Sequence, residues 1–473
     1  MRTHAERLAL LEAARLYVIG PAAFRAGRLA DLIPDLAAAG AGVFQLRDRT
    51  LGADRLLDEA RACAEAARRA GALLIVNDDP DLAHAAGADG VHLGQDDGAI
   101  AWARGIVGAD AIVGRTTRGR EFLARAEVEG ADYASVSPLW PTPTKPDRPA
   151  TGLDAAIAAT RAARIPWFAL GGLDVRRVQR LGALGVRRIA VVRDVADSDD
   201  PASAVRALLA ALDTSPRVLT IAGSDSGGGA GIQADIKAIA AAGGFPLSAV
   251  TALTAQSTLG VEGVLAVPAP FVEAQARAAL DDIGVDAVKT GMLGSADVVE
   301  AAAAIVGGLP ADLQIPVVVD PVMRAESGAA LLDSDALAAV REHLLPRATV
   351  CTPNLAEAQA LTARSTEDAA ELARAIHAAA GCAVVVTGGH GPSPSDALCS
   401  DDGVELIPGP RHPVATTHGS GCTYAATLAT LLGGGLPLAD AAAQAKAVAG
   451  GSVLHGRAYG AGAGPVDVTR WRG

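Results

Sequence analysis

The sequence lacks long apolar runs and basic clusters, and each absence excludes a class of protein. No uninterrupted apolar run in the 473 residues reaches the ~18 residues that a membrane-spanning helix needs. The formal net charge is −12 at pH 7 and Lys and Arg form no cluster, which argues against nucleic acid or an anionic membrane as a partner. Residues 1–10 also lack a signal-peptide pattern, so we expect a cytoplasmic protein without a membrane partner.

Cysteine and lysine are scarce too. No two of the five cysteines have the Cys-x-x-Cys spacing of a metal or redox site: Cys63, Cys351, Cys382, Cys399 and Cys422. We therefore predict reduced thiols that serve mostly in packing. Arginine supplies most of the cations, because the chain has only four lysines, Lys145, Lys237, Lys289 and Lys446. A lysine inside a polar loop, such as Lys145, is therefore a stronger candidate for a functional residue.

The length and the composition favour two domains. A chain of 473 residues is too long for one ordinary core, and a content of 50% hydrophobic against 20% charged residues can fill two. Residues 213–216, Asp-Thr-Ser-Pro, have turn chemistry and no apolar period, and a buried-strand pattern follows at 218–222. We predict a first domain at 1–212, a linker at 213–217 and a second domain at 218–473.

The first domain repeats a strand followed by a helix. Eight short apolar runs, each followed by an amphipathic stretch, lie at residues 16–19, 42–46, 72–76, 90–93, 111–113, 133–136, 167–170 and 188–192. Eight such units in about 200 residues predict a (β/α)8 TIM barrel, whose active site lies at the carboxyl ends of its strands.

Polar side chains come directly after several of these strands. They are Gln45, Arg47, Arg49, Asn77, Asp78, Asp79, Gln95, Asp96, Asp97, Arg115, Thr116 and Thr117. Carboxylates together with cations and hydroxyls suit a Mg2+ that holds a polyphosphate, because Mg2+ prefers hard oxygen ligands and the cations balance the remaining charge. Gly172 and the Val192-Arg193 turn offer backbone amides to a second phosphate. Each aspartate taken alone is also explained as a cap of the following helix.

Five segments at these strand ends and in the loop after the sixth strand carry a family resemblance. They are Gln45-Leu46-Arg47-Asp48-Arg49, Val76-Asn77-Asp78-Asp79, His92-Leu93-Gly94-Gln95-Asp96-Asp97, Thr142-Pro143-Thr144-Lys145 and Gly171-Gly172. Together they resemble thiamine-phosphate synthase, over roughly residues 15–212. That family joins a hydroxymethylpyrimidine pyrophosphate to a thiazole phosphate and releases pyrophosphate.

The resemblance implies a role for each matching residue. Asp78 and Asp97 would bind Mg2+, and the pyrimidine pyrophosphate would be held by Gln45, Arg47, Arg49, Asn77, Thr116 and Lys145. The thiazole phosphate would be held by Thr142, Thr144, Gly172, Val192 and Arg193. Catalysis would consist mainly of stabilising the departing pyrophosphate with Mg2+, Lys145 and arginines such as Arg47.

Three positions depart from the pattern of that family. Arg49 stands where the family usually has Lys, Arg193 stands where Ser is common, and Thr116-Thr117-Arg118 replaces a Ser-Thr-His run. Arg49 keeps the charge and Thr116 keeps the hydroxyl, whereas Arg118 changes the loop. A related tautomerase shares the barrel without the synthase chemistry and is the alternative for this half.

The second domain also alternates strands and helices, with long loops between them. Strand-like runs lie at residues 218–222, 248–252, 287–290, 315–319, 349–352 and 383–387. Their Val and Ile content predicts a parallel sheet that is buried on both faces, in an open doubly wound α/β domain. Ligands are expected at the carboxyl ends of its strands.

Two glycine-rich loops stand out in this domain. Residues 223–231 contain five glycines in nine positions between a strand and a helical pattern, which allows backbone amides to approach a small polar ligand. Residues 418–423, His-Gly-Ser-Gly-Cys-Thr, open an Ala-rich helix whose free amides and dipole suit a phosphoryl group. Cys422 falls in the first turn of that helix, where we expect the pKa of a thiol to be lowered.

These loops belong to a longer set of segments with a second resemblance. The set is 219–225 (Leu-Thr-Ile-Ala-Gly-Ser-Asp), 229–235 (Gly-Ala-Gly-Ile-Gln-Ala-Asp), 251–256 (Thr-Ala-Leu-Thr-Ala-Gln), 289–293 (Lys-Thr-Gly-Met-Leu), 353–357 (Pro-Asn-Leu-Ala-Glu) and 418–423. Together they resemble the hydroxymethylpyrimidine and phosphomethylpyrimidine kinase of the ribokinase-like superfamily, over about 217–470.

That resemblance implies a kinase that uses ATP and Mg2+. The pyrimidine pocket would be lined by Gly223, Asp235, Gln256 and Met292. Nucleotide and phosphate contacts would come from Asn354, Glu357, Thr387, Gly419, Ser420 and Gly421, with Asn354 and Glu357 organising Mg2+ through water. Cys422 would take the proton from the hydroxymethyl group; the alternative is a small residue packed at a helix start. Glu326 replaces a commonly basic residue, and Thr387 stands where some members have Lys.

The two halves fit one pathway, because the final product of the kinase is a substrate of the synthase. We therefore expect a bifunctional enzyme of thiamine biosynthesis that binds small molecules and no nucleic acid. Two alternatives stay open: one half is a degenerate precursor-binding module that regulates the other, or the second half phosphorylates pyridoxal. The sequence leaves the oligomeric state, a homo-oligomer included, and the relative orientation of the domains open.

Overall fold

The computed structural model describes residues 2–143, 147–324, 331–388, 393–412, 414 and 416–470. Internal contacts divide the chain into two compact units, Met1–Thr214 and Ser215–Gly473. The division falls inside the segment 213–217, where the sequence predicts the linker. None of the helices in these ranges is long and apolar enough to cross a membrane.

The first unit is a closed barrel of eight parallel strands accompanied by a short hairpin. Its strands are β1 (Leu16–Gly20), β2 (Ala23–Phe24), β3 (Gly27–Arg28), β4 (Ala41–Leu46), β5 (Leu73–Asn77), β6 (Gly90–Leu93), β7 (Ile112–Thr117), β8 (Tyr133–Val136), β9 (Trp167–Leu170) and β10 (Ile189–Val191). Around the barrel the order is β1-β10-β9-β8-β7-β6-β5-β4, and β2 pairs with β3. The predicted TIM barrel is confirmed, and every predicted strand overlaps an observed one.

The helices of this unit surround the barrel, and the first of them was not predicted. They are α1 (His4–Ala13), α2 (Leu29–Ala38), α3 (Ala53–Arg69), α4 (Pro80–Ala86), α5 (Ile100–Val107), α6 (Arg120–Val128), α7 (Gly152–Ala162), α8 (Val175–Ala183), α9 (Arg193–Ala196) and α10 (Pro201–Leu212). Helix α1 buries Leu11 in the same core as Tyr17 and Phe168 of the barrel. Its Arg7 Nε lies 3.0 Å from Asp89 Oδ1, just before β6. Helix α1 therefore covers the amino-terminal end of the barrel and leaves the opposite end for ligands.

The second unit is built on one large open sheet. Its strands are β11 (Arg217–Ala222), β12 (Phe245–Val250), β13 (Ala252–Ser257), β14 (Gly260–Ala266), β15 (Ala287–Thr290), β16 (Val317–Val319), β17 (Val350–Cys351), β18 (Ala383–Val386), β19 (Asp396–Ser400) and β20 (Gly403–Ile407). The sheet order is β12-β11-β15-β16-β17-β18-β19-β20, and β19 runs antiparallel to both of its neighbours, β18 and β20. Strands β13 and β14 form a separate hairpin. The ribokinase-like doubly wound α/β prediction is confirmed, whereas the two antiparallel hairpins were not predicted.

Helices cover both faces of this sheet. They are α11 (Gly231–Ala241), α12 (Ala269–Asp282), α13 (Ala296–Gly307), α14 (Ser334–Ala339), α15 (Leu355–Thr362), α16 (Ala369–Ala380), α17 (Ser420–Gly433) and α18 (Leu438–Leu454), with single turns at Ala311–Leu313, Val340–Leu344, Leu345–Arg347 and Val468–Arg470. Alternate residues of β11 enter two different cores: Leu219 and Ile221 enter one, and Val218 enters the other. Burial on both faces explains why the parallel strands are apolar at successive positions.

Candidate active sites

A cavity of about 180 Å³ opens at the carboxyl ends of the barrel strands. Most residues that the sequence predicts for the synthase line it: Gln45, Arg47, Arg49, Asn77, Asp78, Asp97, Thr116, Thr142, Gly172, Val192 and Arg193. Thr144 and Lys145 lie outside the described residues. The structure brings the others together because all eight strands of a barrel end at the same mouth.

Two carboxylates face each other in this cavity. The side chain of Asp78 hydrogen-bonds to that of Asp97, and burial together with this contact raises the pKa of Asp78. Asp78 follows β5 with a φ of 63°, a left-handed conformation that few non-glycine residues adopt. Asp97 Oδ2 also accepts a hydrogen bond from Gly94 N at 2.5 Å. Two acidic groups this close share either a proton or a cation.

The other two aspartates of the same loops have structural partners. Asp79 Oδ1 accepts a hydrogen bond from Leu82 N at 2.9 Å and caps α4, as the helix-cap interpretation predicts. Asp96 Oδ2 lies 2.6 Å from Arg148 Nη2. Helix α5 begins after an Ala99 N-cap, so Asp97 is not a helix cap. The interpretation as caps therefore holds for one aspartate of the four.

A buried chain of hydrogen bonds connects two of the predicted substrate residues. Gln45 Nε2 donates to the hydroxyl of Tyr17 at 2.6 Å, and that hydroxyl lies 3.0 Å from the hydroxyl of Tyr133. His92 continues the chain, with Nδ1 3.1 Å from Tyr133 Oη and Nε2 2.9 Å from Thr116 Oγ1. The chain fixes the side chains of Gln45 and Thr116 at the floor of the cavity.

Arginines supply the positive charge of this cavity. Arg47 is half-buried, and burial followed by the charge of Arg49 lowers its pKa. Arg49 Nη2 lies 3.9 Å from Asp78 Oδ2. Arg148 also lines the cavity and was not predicted. The carboxylates and the guanidinium groups thus lie side by side, as a bound polyphosphate and cation require.

The turn at Gly171-Gly172 presses against the loop that follows β8. Both glycines have positive φ values, 107° and 64°, and a Cβ on Gly172 would lie 2.9 Å from Pro141 O. Gly172 O accepts a hydrogen bond from Arg177 Nη1 at 2.6 Å. Glycine is therefore required at 172 both by conformation and by space. Asp194, which was not predicted, lines the same cavity, and burial raises its pKa.

A second cavity, of about 730 Å³, lies at the carboxyl ends of the parallel strands in the second unit. Among the residues predicted for the kinase, it is lined by Gly223, Gln256, Met292, Asn354, Glu357, Thr387, Gly419, Ser420, Gly421 and Cys422. Glu326 lies outside the described residues. The two glycine-rich loops and the ends of β15 to β18 meet here, as expected for an open parallel sheet.

Asp235 lies beneath this cavity and does not line it, which corrects one prediction. Its side chain is fully buried, with Oδ1 and Oδ2 3.0 and 2.9 Å from Lys289 Nζ. Thr220 Oγ1 donates to Asp235 Oδ2 at 2.5 Å. Asp235 faces the sheet because it lies on the buried side of α11. Lys289 lines the cavity in its place.

Cys422 is half-buried and lines the cavity, but the prediction that the pKa of its thiol is lowered is wrong. Burial raises the pKa of the thiol to about 12, although the charge of Lys289 acts in the opposite direction. The carboxylates of Asp235 and Asp320 raise the pKa further. The prediction from the helix start omitted these effects, because the carboxylates come from distant parts of the chain.

Asp320 and Glu357 form a second pair of acidic groups. Burial raises the pKa of Asp320 to about 6, even though Lys289 Nζ lies 3.8 Å from its Oδ2. Burial and then the charge of Asp320 raise the pKa of Glu357 to about 8. Asp320 Oδ2 is a buried oxygen without a hydrogen-bond partner among the residues with described side chains. A buried oxygen without a hydrogen bond, in a cavity that a second carboxyl group also lines, fits a cation.

Asn354 and Glu357 also have a local structural role. Asn354 N donates to Glu357 Oε2 at 2.9 Å, and Glu357 N donates to Asn354 Oδ1 at 3.0 Å. This reciprocal pair is a capping box, which starts α15. The capping box fixes the Glu357 side chain beside the cavity.

Several residues of the two sites were missed by the sequence predictions. Those that line a cavity are His92, Arg148 and Asp194 in the barrel, and Asp225, Lys289, Asp320 and His418 in the second unit. Tyr17 and Tyr133 were missed as well and lie in the buried hydrogen-bond chain below the barrel cavity. Their place in the sequence could have identified Asp320 and His92, since both lie at or directly after predicted strands. Lys289 could have been identified too, because it is one of only four lysines.

Comparisons with known proteins match both halves of the chain. Residues 16–195 match a family model described as thiamine monophosphate synthase, and residues 225–467 match one described as phosphomethylpyrimidine kinase. The barrel cavity lies within the first match, and all residues of the second cavity from Asp225 onward lie within the other.

Single proteins similar to the whole chain also exist. The chain is 38% identical over 457 residues to the thiamine biosynthesis bifunctional protein ThiED of Geobacter sulfurreducens, across 92% of this chain and 91% of that one. It is 38% identical over 468 residues to the thiamine biosynthesis multifunctional protein ThiED of Corynebacterium efficiens, across 93% of this chain but only 62% of that protein. Among solved structures, an ADP complex of Bacillus subtilis pyridoxal kinase is 33% identical, with a TM-score of 0.49, and covers 54% of this chain and 97% of that chain.

Proposed function

The chain belongs to the family of bifunctional thiamine biosynthesis proteins, and we propose which of its residues carry the two activities. The first unit is the thiamine-phosphate synthase, and the second is the hydroxymethylpyrimidine/phosphomethylpyrimidine kinase, which uses ATP. The observation that carries the assignment of residues is common to both units. Each cavity is lined by two acidic groups, one of which raises the pKa of the other, and each also has cationic side chains at its lining.

Mg2+ is the proposed metal at both pairs. No group of three or more His, Cys, Asp or Glu side chains in the described ranges has the arrangement of a metal site. A metal would therefore depend on two carboxylates, Asp78 with Asp97 or Asp320 with Glu357, and on phosphate oxygens of the ligand. Mg2+ is usually bound in this way, whereas Ca2+ and Zn2+ need more protein ligands. When bound, Mg2+ would neutralise phosphate oxygens and assist the departure of the leaving phosphate.

In the barrel, the proposed work of the protein is to hold two phosphorylated substrates and to stabilise a departing anion. Gln45 and Thr116, fixed by the buried hydrogen-bond chain, hold the pyrimidine ring. Asn77, Arg47 and Arg49 bind its pyrophosphate, together with Lys145 from outside the described residues. Expelling pyrophosphate leaves a cation on the pyrimidine methyl carbon, so no general base is needed for that step.

The thiazole phosphate is proposed to bind on the opposite side of the same cavity. Gly172, Val192 and Arg193 offer backbone amides there, and Thr142 offers a hydroxyl. The Gly171-Gly172 turn supports this assignment, since its positive φ values turn backbone groups toward the cavity. Thr144 is proposed for the same phosphate but lies outside the described residues.

In the second unit, Gly223, Gln256 and Met292 are proposed to line the pyrimidine end of the cavity. Gly419, Ser420 and Gly421 open the 14-residue helix α17 and are proposed to receive the transferring phosphoryl group. Ser420 N already donates to Thr417 O at 3.1 Å, so Ser420 would contribute its hydroxyl and not its amide. Thr387 and Asn354 are proposed to contact the nucleotide phosphates. Asp235 acts indirectly, because its carboxylate holds Lys289 in place beside Cys422.

Cys422 is the proposed proton acceptor for the hydroxymethyl group. It lies in the cavity directly after the proposed phosphate loop, and Lys289 is the cation that would stabilise its thiolate. Since its pKa is about 12, the thiolate is scarce at neutral pH, and only this small thiolate fraction can accept the proton. This requirement gives the assignment a pH-dependent test, which is described in the Discussion.

The complete chain can be tested with three mixtures. Hydroxymethylpyrimidine, thiazole phosphate, ATP and Mg2+ should yield thiamine phosphate. Hydroxymethylpyrimidine with ATP and Mg2+, but without thiazole phosphate, should yield its pyrophosphate. Preformed pyrimidine pyrophosphate with thiazole phosphate and Mg2+ should yield thiamine phosphate without ATP. A mixture that gives no product identifies the unit whose assigned activity is wrong. Removal of Mg2+ with EDTA should stop the reaction in all three mixtures.

A further inference from the structure

Three segments of the first unit meet at the side chain of Arg177. Arg177 lies in the first turn of α8, Trp140 lies in the loop after β8, and Gly171 and Gly172 form the turn after β9. The two glycines line the 180 Å³ cavity, whereas Arg177 and Trp140 do not belong to its lining. Arg177 can therefore act on the lining of the cavity without touching a ligand.

The guanidinium group of Arg177 holds the glycine turn by its backbone. Arg177 Nη1 donates a hydrogen bond to Gly172 O at 2.6 Å and lies 3.7 Å from Asp174 Oδ2. Asp174 Oδ1 accepts from Arg177 N at 2.9 Å and caps α8, which fixes the start of the helix from which Arg177 extends. Hydrogen bonds with a charged donor are stronger than those between neutral groups. Loss of the guanidinium group should therefore release the Gly172 carbonyl.

The same guanidinium group also holds the loop after β8. Arg177 Cζ lies 5.2 Å from the centroid of the Trp140 ring, within the range of a cation–π contact. Trp140 is buried, and its backbone N donates to Gly171 O at 3.1 Å. Arg177 thus contacts both the glycine turn and the loop that carries Thr142.

The glycine turn and this loop are in close backbone contact. A Cβ on Gly171 would lie 2.7 Å from Pro138 Cα, and a Cβ on Gly172 would lie 2.9 Å from Trp140 Cβ. Because no space separates the two segments, a shift of Trp140 must also shift the turn. The two contacts of Arg177 therefore stabilise one packed arrangement.

The hydrogen bond to Gly172 O also sets the direction of a backbone donor. The peptide bond between Gly172 and Leu173 is trans, so the carbonyl of Gly172 and the N–H of Leu173 point in opposite directions. With the carbonyl held by Arg177, the N–H of Leu173 points away from Arg177. Leu173 lines the cavity. Arg177 thus fixes the orientation of this peptide unit at the lining of the cavity.

We propose that Arg177 is a positioning residue for the phosphate end of the barrel cavity: by holding Gly172 O and the Trp140 ring, it keeps the turn in the conformation that receives a phosphate monoester. The inference rests on the proposed function of the first unit and deepens it, because that function assigns the phosphate to the turn without saying what holds the turn. Arg177 touches neither substrate in this scheme.

The substitution Arg177→Met in the full chain tests the proposal. Methionine keeps an apolar stem and removes both the charge and the donors. The KM for thiazole phosphate should rise about tenfold, because the loss of one hydrogen bond with a charged donor has an effect of this size. The synthase kcat and the KM for pyrimidine pyrophosphate should change less than about threefold, since the reacting groups keep their places. Steady-state synthase assays with preformed pyrimidine pyrophosphate measure all three constants.

Two further variants separate positioning from other effects. Arg177→Lys keeps a cation that can reach Gly172 O or the Trp140 ring but not both, so its KM for thiazole phosphate should rise only about threefold. Arg176→Met is the matched control, because Arg176 is exposed, lies in the same turn of α8 and does not line the cavity. It removes the same charge and should leave the KM unchanged. Kinase activity in the same samples checks that the rest of each variant is folded.

The outcomes distinguish this inference from the proposed function. An unchanged KM for thiazole phosphate in Arg177→Met, or an equal rise in Arg176→Met, would overturn the inference. A fall in kcat at an unchanged KM would overturn it as well and would assign Arg177 to the reacting groups. If Arg177→Met does not fold, a wild-type KM in Arg177→Lys would overturn it instead. If the wild-type chain does not couple pyrimidine pyrophosphate to thiazole phosphate at all, the proposed function of the first unit fails.

Discussion

Both cavities lie at the carboxyl ends of parallel strands. They differ in how well the sequence predicts which residues line them. In the barrel, every predicted synthase residue that the structure describes lines the cavity. In the second unit, Asp235 belongs to a matching motif and yet lies below the cavity. In a closed barrel all strand ends meet at one mouth, whereas a helix beside an open sheet can direct a motif residue toward the sheet.

The charges of the two units also serve different purposes. In the barrel, Asp78, Asp97 and the arginines lie on the cavity surface, where a ligand can reach them. In the second unit, Lys289 and Asp235 are fully buried and pair with each other. We infer that the acidic residues of the barrel act on ligands, whereas Asp235 acts on the fold and only indirectly on the reaction.

Replacing Asp97 should have the largest effect and should be confined to the barrel. Asp97→Asn removes one of two carboxylates proposed for Mg2+, and a loss of several kcal/mol of transition-state stabilisation corresponds to a fall in synthase kcat/KM of about a thousandfold. The kinase rate should not change. Both rates can be measured on one preparation with separate substrates.

Asp79→Asn is the matched control for that substitution. Asp79 caps α4 and does not line the cavity, and Asn is an equally good helix cap, so the variant should keep both its stability and its synthase activity. Equal losses in the Asp79 and Asp97 variants would contradict the assignment of the metal to Asp78 and Asp97.

Replacing Cys422 should have the next largest effect, in the other unit. Cys422→Ala should lower the kinase kcat by about a hundredfold while the KM for hydroxymethylpyrimidine stays within a few fold, because a positioned base contributes on this scale. In the wild-type chain the pKa of about 12 means that the thiolate fraction grows about tenfold per pH unit from 7 to 9. The kinase rate should therefore rise with pH over that range, and the rise should be absent from the variant.

Cys399→Ala controls for the loss of a thiol, because Cys399 lies in β19 and does not line the cavity. Unchanged turnover in Cys422→Ala would favour the alternative interpretation of a small residue packed at a helix start. Catalysis would then depend on the metal and on positioning alone.

Asp235→Asn should act mainly on stability. It leaves the buried ammonium of Lys289 without its charged partner, which should cost about 3–5 kcal/mol. The urea midpoint for loss of kinase activity should fall, while the midpoint for loss of synthase activity should not. The double variant Asp235→Asn with Lys289→Met should regain part of the stability, since the unpaired ammonium is then removed, but only part, since Asp320 loses the ammonium that lies 3.8 Å away. A fall in kinase activity without a change in the midpoint would show that Asp235 acts on the ligand after all.

Much of the fold was predictable because its strands are strongly patterned. The eight barrel strands and the parallel strands of the second unit all overlap their predicted positions. Helix α1 and the hairpins β13–β14 and β19–β20 were not predicted. Helix α1 has only a weak apolar face. Outside the main sheet, β13 alternates exposed with half-buried residues after its first residue, and most of β14 is exposed. Their positions depend on tertiary contacts that local patterns do not contain.

The site residues were predictable as a set, but their electrostatics were not. Strand-end position identified which side chains line each cavity. The pKa of Cys422 depends on Lys289 from β15 and on Asp320 after β16, and no local pattern at the start of α17 contains that information. The buried chain from Tyr17 through Tyr133 to His92 likewise joins three strands that are distant in the sequence.

Arg118→His should have the smallest effect, although Arg118 is a clear departure from the synthase pattern. Arg118 Nη2 donates to Pro149 O at 3.0 Å and so contacts the loop 137–152, which carries Thr142. An exposed hydrogen bond of this kind contributes about 1 kcal/mol, so the KM for thiazole phosphate should change by no more than about fivefold. Steady-state synthase assays at saturating pyrimidine pyrophosphate measure this change.

A hundredfold change in that KM, or a loss of kcat, would show that Arg118 acts on the substrates directly. The smaller effect is expected because the barrel positions its ligand groups through strand ends, and the loop contact of Arg118 adds to an arrangement that is already fixed. In the second unit, by contrast, the two glycine-rich loops support each other, since His418 Nε2 of one lies 3.0 Å from Asp225 Oδ2 of the other. A single loop substitution there should therefore have a larger effect than one at the rim of the barrel.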